Sequence, residues 1–138
     1  MKRRWTKMEK EKETLKSEEL FGMDIQKGMR IVSNNKTIYV KLLHSFSANT
    51  LYQELIDSVR EGNSDEMRAK VHALKGVTAN LSLTNLYEQI IIVEKDIREF
   101  NTISMDDEKM IQLGMIYEKT MRSIEQIVNS PDILDCLV

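Results

Sequence analysis

Over 138 residues this chain has a single proline, Pro131, and only five glycines. The residues that usually punctuate strands and tight turns are therefore nearly absent. A chain with so little turn chemistry must cover most of its length in helices, and its apolar residues recur at helical spacing. Asp24 is placed to cap a short helix carrying Ile25, Met29 and Val32, after which Ser33, Asn34 and Asn35 supply a turn and the next N-cap. From Thr37 to Glu61 the pattern is helical, with Ile38, Leu42 and Phe46 on one side and Tyr52, Leu55, Ile56 and Val59 further on. The stripe drifts between Ser47 and Thr50, which predicts a kink or short break there. Gly62 then stands where a left-handed C-cap is needed, and Asn63 with Glu66 resembles a capping box.

A third segment runs from about Ser64 to Asn80, with Met67, Val71, Leu74, Thr78 and Leu81 on its inner face. After Ser82 and Thr84 a fourth carries Leu83, Leu86, Tyr87, Ile90, Val93 and Ile97 up to Phe100. Ser104 and Asp107 mark a last start, and Met110, Leu113, Tyr117, Met121, Ile124 and Val128 lead to Ser130, where Pro131 stops the helix. Four long amphipathic segments with short links predict an all-α fold, an antiparallel four-helix bundle with a short additional N-terminal helix. The expected organisation is a charged, mobile or helically extended arm over 1–19, one helical domain over 20–131 and a C-terminal tail over 132–138. The arm holds twelve charged side chains, and Lys2, Arg3 and Arg4, three cations followed by charges of both signs, make a weak case for a contact with nucleic acid or an acidic surface.

The formal net charge of −2 lacks the positive field that nucleic-acid binding usually requires. Cys136 is the only cysteine, so neither an intramolecular disulfide nor a cysteine-based zinc site is expected. No apolar run reaches the length of a membrane span and the start lacks the apolar core of a signal peptide, so the expected location is the cytoplasm, with no membrane partner. His44 and His72 are the only side chains whose ordinary pKa lies near neutrality.

At 100° per residue, His72 lies roughly 140° from the centre of the third segment's apolar stripe, on the solvent side. Its helical neighbours Ala69, Gly76 and Ala79, like Ala73 beside it, are small where a solvated face would carry Glu, Lys or Gln. A glycine inside a helix costs about 1 kcal/mol relative to alanine, so Gly76 points to a close approach by something else. Lys75 puts an ammonium within reach of any group attached to the imidazole. Glu94 flanks the fourth segment's apolar stripe, where a carboxylate needs a donor. In an antiparallel hairpin turning near Ser82, Glu94 falls at the height of His72. It would then accept from Nδ1–H and leave Nε2 as nucleophile. A plain ion pair of Glu94 with Lys75, Lys95 or Arg98 is the other reading of that carboxylate. His44, beside Leu43 and Phe46 with no small-residue surround, reads as an ordinary surface histidine.

The run Val71, His72, Ala73, Leu74, Lys75 and Gly76, followed by Ala79, Asn80 and Leu81, resembles the signature of the histidine-containing phosphotransfer (HPt) domains of two-component phosphorelays. Met23 to Met29 and Tyr39 to Phe46 look like that family's first elements. The resemblance implies that His72 is phosphorylated, that Lys75 helps hold the phosphoryl oxygens, that Glu94 is bonded to the histidine, and that Ala69, Ala73, Gly76 and Ala79 admit a docking partner. It further implies response-regulator receiver domains as partners, with a hybrid sensor histidine kinase as a further partner class. Ser82, where the family usually has glycine, and Ile90, where a small residue is common, are departures that concern packing. No carboxylate cluster for a hard cation and no glycine-rich nucleotide loop is present, so the expectation is a monomeric phosphate carrier, not an ATP-dependent kinase. It binds no metal or cofactor itself, and Mg2+ is expected on the receiver. The alternative is an unphosphorylated helical adaptor or inhibitor that binds receiver or kinase domains. The chain's start and stop favour a free-standing protein.

Overall fold

A computed structural model describes residues 21–137; the charged arm over 1–19 lies outside them. The described chain is all-helical, with seven helices: α1 (Ile25–Ile31), α2 (Lys36–Ala48), α3 (Leu51–Glu61), α4 (Ser64–Asn80), α5 (Thr84–Phe100), α6 (Glu108–Asn129) and α7 (Ile133–Leu137). None of them is long and apolar enough to cross a membrane.

Side chains close most of the helix starts. Asp24 accepts from the Lys27 amide at 3.1 Å, Asn35 from Ile38 at 3.1 Å and Asn63 from Glu66 at 3.2 Å. Each satisfies an amide that has no partner inside its own helix. Glu66 does not complete a capping box; it turns to Lys70, 3.9 Å away. Asp107, not Ser104, caps α6 by accepting from the Lys109 amide at 2.8 Å, while Ser104 Oγ holds the preceding loop through the Asp106 amide. The predicted break in the second segment is real: α2 ends at Ala48, and Asn49 accepts from the Leu51 amide to start α3. Gly62 closes α3 at a φ of 69°.

Packing proceeds from α3 to α4, α4 to α5, α5 to α6 and α6 to α2, while α1 packs on α2 and α7. The core lies between these helices. Met67, Val71, Leu74 and Thr78 of α4 meet Leu86, Ile90, Val93 and Ile97 of α5, all buried. Tyr39 is fully buried, and its hydroxyl donates to the Leu81 carbonyl at 3.1 Å. Its ring occupies the space that a Cβ on Gly28 would enter, at 2.7 Å.

Three expectations are corrected. On α2 the buried line is Tyr39, Leu43 and Phe46, and Ile38 and Leu42 are exposed. A helix whose polar face is interrupted by Ile and Leu offers two apolar registers, and the aromatic residues decide which one enters the core. On α6 Thr120 and Ser123 are buried beside Ile124 and Ile127, and Met121 and Val128 only flank them. Both hydroxyls bond back to the preceding turn, to the Ile116 and Lys119 carbonyls, which removes the cost of burying them. The segment after Pro131 is not simply a tail: Leu134 and Leu137 of α7 are buried, and Lys36 reaches Asp132 and Asp135 at 3.0 and 3.3 Å.

Candidate functional site

The central stretch of α4 carries His72 outward. Its side chain is 78% exposed, with Val71 and Leu74 on either side of it in sequence turned into the core. Ala69, Gly76 and Ala79 are exposed around it and Ala73 is half-buried. A Cβ built on Gly76 meets nothing within 4 Å, so the fold itself does not require glycine there. The small-residue surround is thus an open surface with unused room.

The turn from α4 to α5 sets which residues face one another across the seam. Asp24 donates its amide to the Ser82 carbonyl at 2.9 Å and Asn85 donates to Gly22 at 3.0 Å, which ties the N-terminal segment across the turn. Ser82 itself is left-handed, with φ of 57°, and its buried hydroxyl has no hydrogen-bond partner. The antiparallel return along α5 brings Glu94, whose side chain is only 14% exposed, to the level of His72 and Lys75.

Glu94 joins both. Its Oε1 accepts from Lys75 Nζ at 2.9 Å, and its Oε2 lies 3.8 Å from His72 Nδ1. The first is a charge-assisted hydrogen bond; the second is a near approach, too long for one. The predicted carboxylate–imidazole bond is therefore not formed, and the ion pair with Lys75 is. Nδ1 nevertheless lies on the carboxylate's side of a ring that is largely exposed.

A groove of about 400 Å³ runs beside these groups, lined by Arg68, Val71, His72, Lys75, Glu94, Ile97 and Arg98. Val71 and Ile97 form a buried apolar floor. Three permanent cations and an imidazole thus border a cleft with one carboxylate, which favours an anionic occupant. The apolar spacing does not single out Arg68. It stands one turn before His72 on the same face, however, and that i−4 relation is the signal that finds it. His44 on α2 is exposed and lines none of this groove. Among the described residues no group of three or more His, Cys, Asp or Glu side chains is arranged to hold a metal ion. The chain matches no family model, no curated protein and no solved structure.

Proposed function

We propose that this chain is a histidine phosphotransfer protein of a two-component phosphorelay, carrying a phosphoryl group on His72 between receiver-domain aspartates in the cytoplasm. The observation that carries the reading is the surround of His72: an imidazole largely exposed in mid-helix, ringed by Ala69, Gly76 and Ala79, with Lys75 one turn away. The packing order agrees with it. Helices α3, α4, α5, α6 and α2 pack in that order, and α2 leads into α3 through Asn49 and Thr50, which we read as the antiparallel four-helix bundle of HPt domains with α2 and α3 sharing one side.

In this reading the Nε2 lone pair attacks the phosphorus of the receiver's aspartyl phosphate in line. A P–N bond forms, the acyl P–O bond breaks, and the aspartate leaves as carboxylate with the electron pair. The proton stays on Nδ1, facing Glu94, whose charge stabilises the imidazolium. Lys75 is shared: it is bound to Glu94 before transfer and turns to the phosphoryl oxygens once they arrive. The receiver supplies the Mg2+ that neutralises the transferring group. Transfer back to a second receiver reverses the same bonds, so the chain is a carrier and not a kinase.

One observation favours a second reading, an unphosphorylated adaptor or inhibitor: Lys75 is held by Glu94 at 2.9 Å instead of being free beside His72. Incubation with a panel of phosphorylated receiver domains separates the two. The carrier acquires an acid-labile, alkali-stable label that is lost in His72→Ala and retained in His44→Ala. An adaptor binds receivers and acquires none.

A further inference from the structure

The groove beside His72 holds more positive charge than the transfer step uses. Lys75 is the cation one turn from the imidazole, and it is already matched by Glu94. Arg68 and Arg98 are additional. Arg68 lies one turn before His72 on α4, and Arg98 lies one turn beyond Glu94 on α5. Because α4 and α5 run in opposite directions through the turn at Ser82, both steps lead toward the same end of the groove, and both arginines line it.

Neither guanidinium is neutralised by the fold. Arg68 meets Asp65 at 3.4 Å, but that carboxylate is 95% exposed, so the contact is screened by water and weak. Among the described residues Arg98 takes part in no ion pair, although the neighbouring Asp96 does, with Lys109. Beneath the pair are Val71 and Ile97, 1% and 0% exposed, which offer no acceptor. Two guanidinium groups bordering one groove with an apolar floor suit a carboxylate, which guanidinium binds through paired hydrogen bonds.

We propose that Arg68 and Arg98 form an anion-reading subsite that receives an acidic side chain of the incoming receiver domain and thereby selects among receivers. This rests on the phosphotransfer reading above and adds to it a basis for partner choice. The subsite is one turn away from Lys75, so it takes a group of the partner's rim and not the phosphoryl group itself. Charged contacts at an interface rim act chiefly on encounter and register. The arginines therefore govern how well a receiver is captured and leave the bond-making step alone.

The test uses the full chain and the receiver domain that labels it fastest in a panel of purified phosphorylated receivers. In the double variant Arg68→Ser with Arg98→Ser, KM for that receiver is expected to rise about tenfold while kcat stays within about twofold. Rate constants kcat/KM of the wild type are expected to fall with added salt and those of the variant to be nearly flat. Arg68→Lys with Arg98→Lys retains most of the salt dependence. Unchanged KM in the serine variant, or a loss confined to kcat, overturns the subsite while leaving phosphotransfer standing. A wild type that no receiver labels overturns the phosphotransfer reading and the subsite with it.

Discussion

A methyl group added at Gly28 would collide with the Tyr39 ring at 2.7 Å, whereas one added at Gly76 would meet nothing within 4 Å. Internal packing thus fixes glycine at Gly28 and does not fix it at Gly76. Replacing Gly76 by a good helix former removes backbone freedom from the unfolded chain and adds no clash. Gly76→Gln is accordingly expected to raise stability by about 0.5–1 kcal/mol and to block phosphoryl transfer, because the added side chain fills the space a docking domain needs. Urea unfolding and receiver-dependent labelling of the same preparation check both halves. Transfer at the wild-type rate would remove Gly76 from the docking surface. At this scale the sequence was informative about His72 and Lys75, since helical phase alone puts both outside the apolar stripe. It was less so about Glu94: the hairpin register places it correctly, but which donor it takes depends on side-chain reach. The longer lysine arrives at 2.9 Å while Nδ1 stays at 3.8 Å.

At the scale of the elements, the α4–α5 turn combines left-handed backbone with a buried, unpaired hydroxyl. Ser82 is 6% exposed at a φ of 57°, and its hydroxyl is unpartnered. Left-handed backbone disfavours a side chain, and a buried hydroxyl without a partner adds its desolvation. Ser82→Gly is expected to stabilise the protein by about 1 kcal/mol, read as a higher urea midpoint at unchanged m-value. A lower midpoint would mean that the hydroxyl finds a partner. The residues that cap α1, α2 and α4 were readable because Asp24, Asn35 and Asn63 act on amides three residues away. The buried sides of α2 and α6 were not. Tyr39 competes with Ile38 for the core, and the Thr120 and Ser123 hydroxyls become buriable only through their bonds to the preceding turn. Neither outcome is encoded in apolar spacing. Nor was α7, whose two buried leucines follow a proline that ends the periodic pattern.

Over the whole molecule, three tyrosines tie stability to alkaline pH. Burial pushes the hydroxyl of Tyr39 well above its ordinary range, and those of Tyr52 and Tyr117, stacked at 3.7 Å, upward as well. For a group whose pKa is raised on folding, the stabilisation is fully present below the unfolded value and is lost as pH rises toward the folded one. The urea midpoint is therefore expected to fall above about pH 10, with a smaller slope in Tyr39→Phe. A slope unchanged in that variant would show that Tyr39 ionises freely in the folded protein. The all-helical architecture was legible from the scarcity of proline and glycine together with the apolar periods. The packing order of the helices, and the meeting of Arg68 and Arg98 in one groove, needed the three-dimensional arrangement. That arrangement places Nδ1 of His72 3.8 Å from Glu94 on a side chain that is 78% exposed, and the proposed function depends on it. The most direct test is ¹⁵N and ³¹P NMR of the chain after reaction with a phosphorylated receiver. The account predicts one phosphorylated imidazole, at Nε2 of His72 with Nδ1 protonated; phosphorus on Nδ1, on His44 or on no histidine would contradict it.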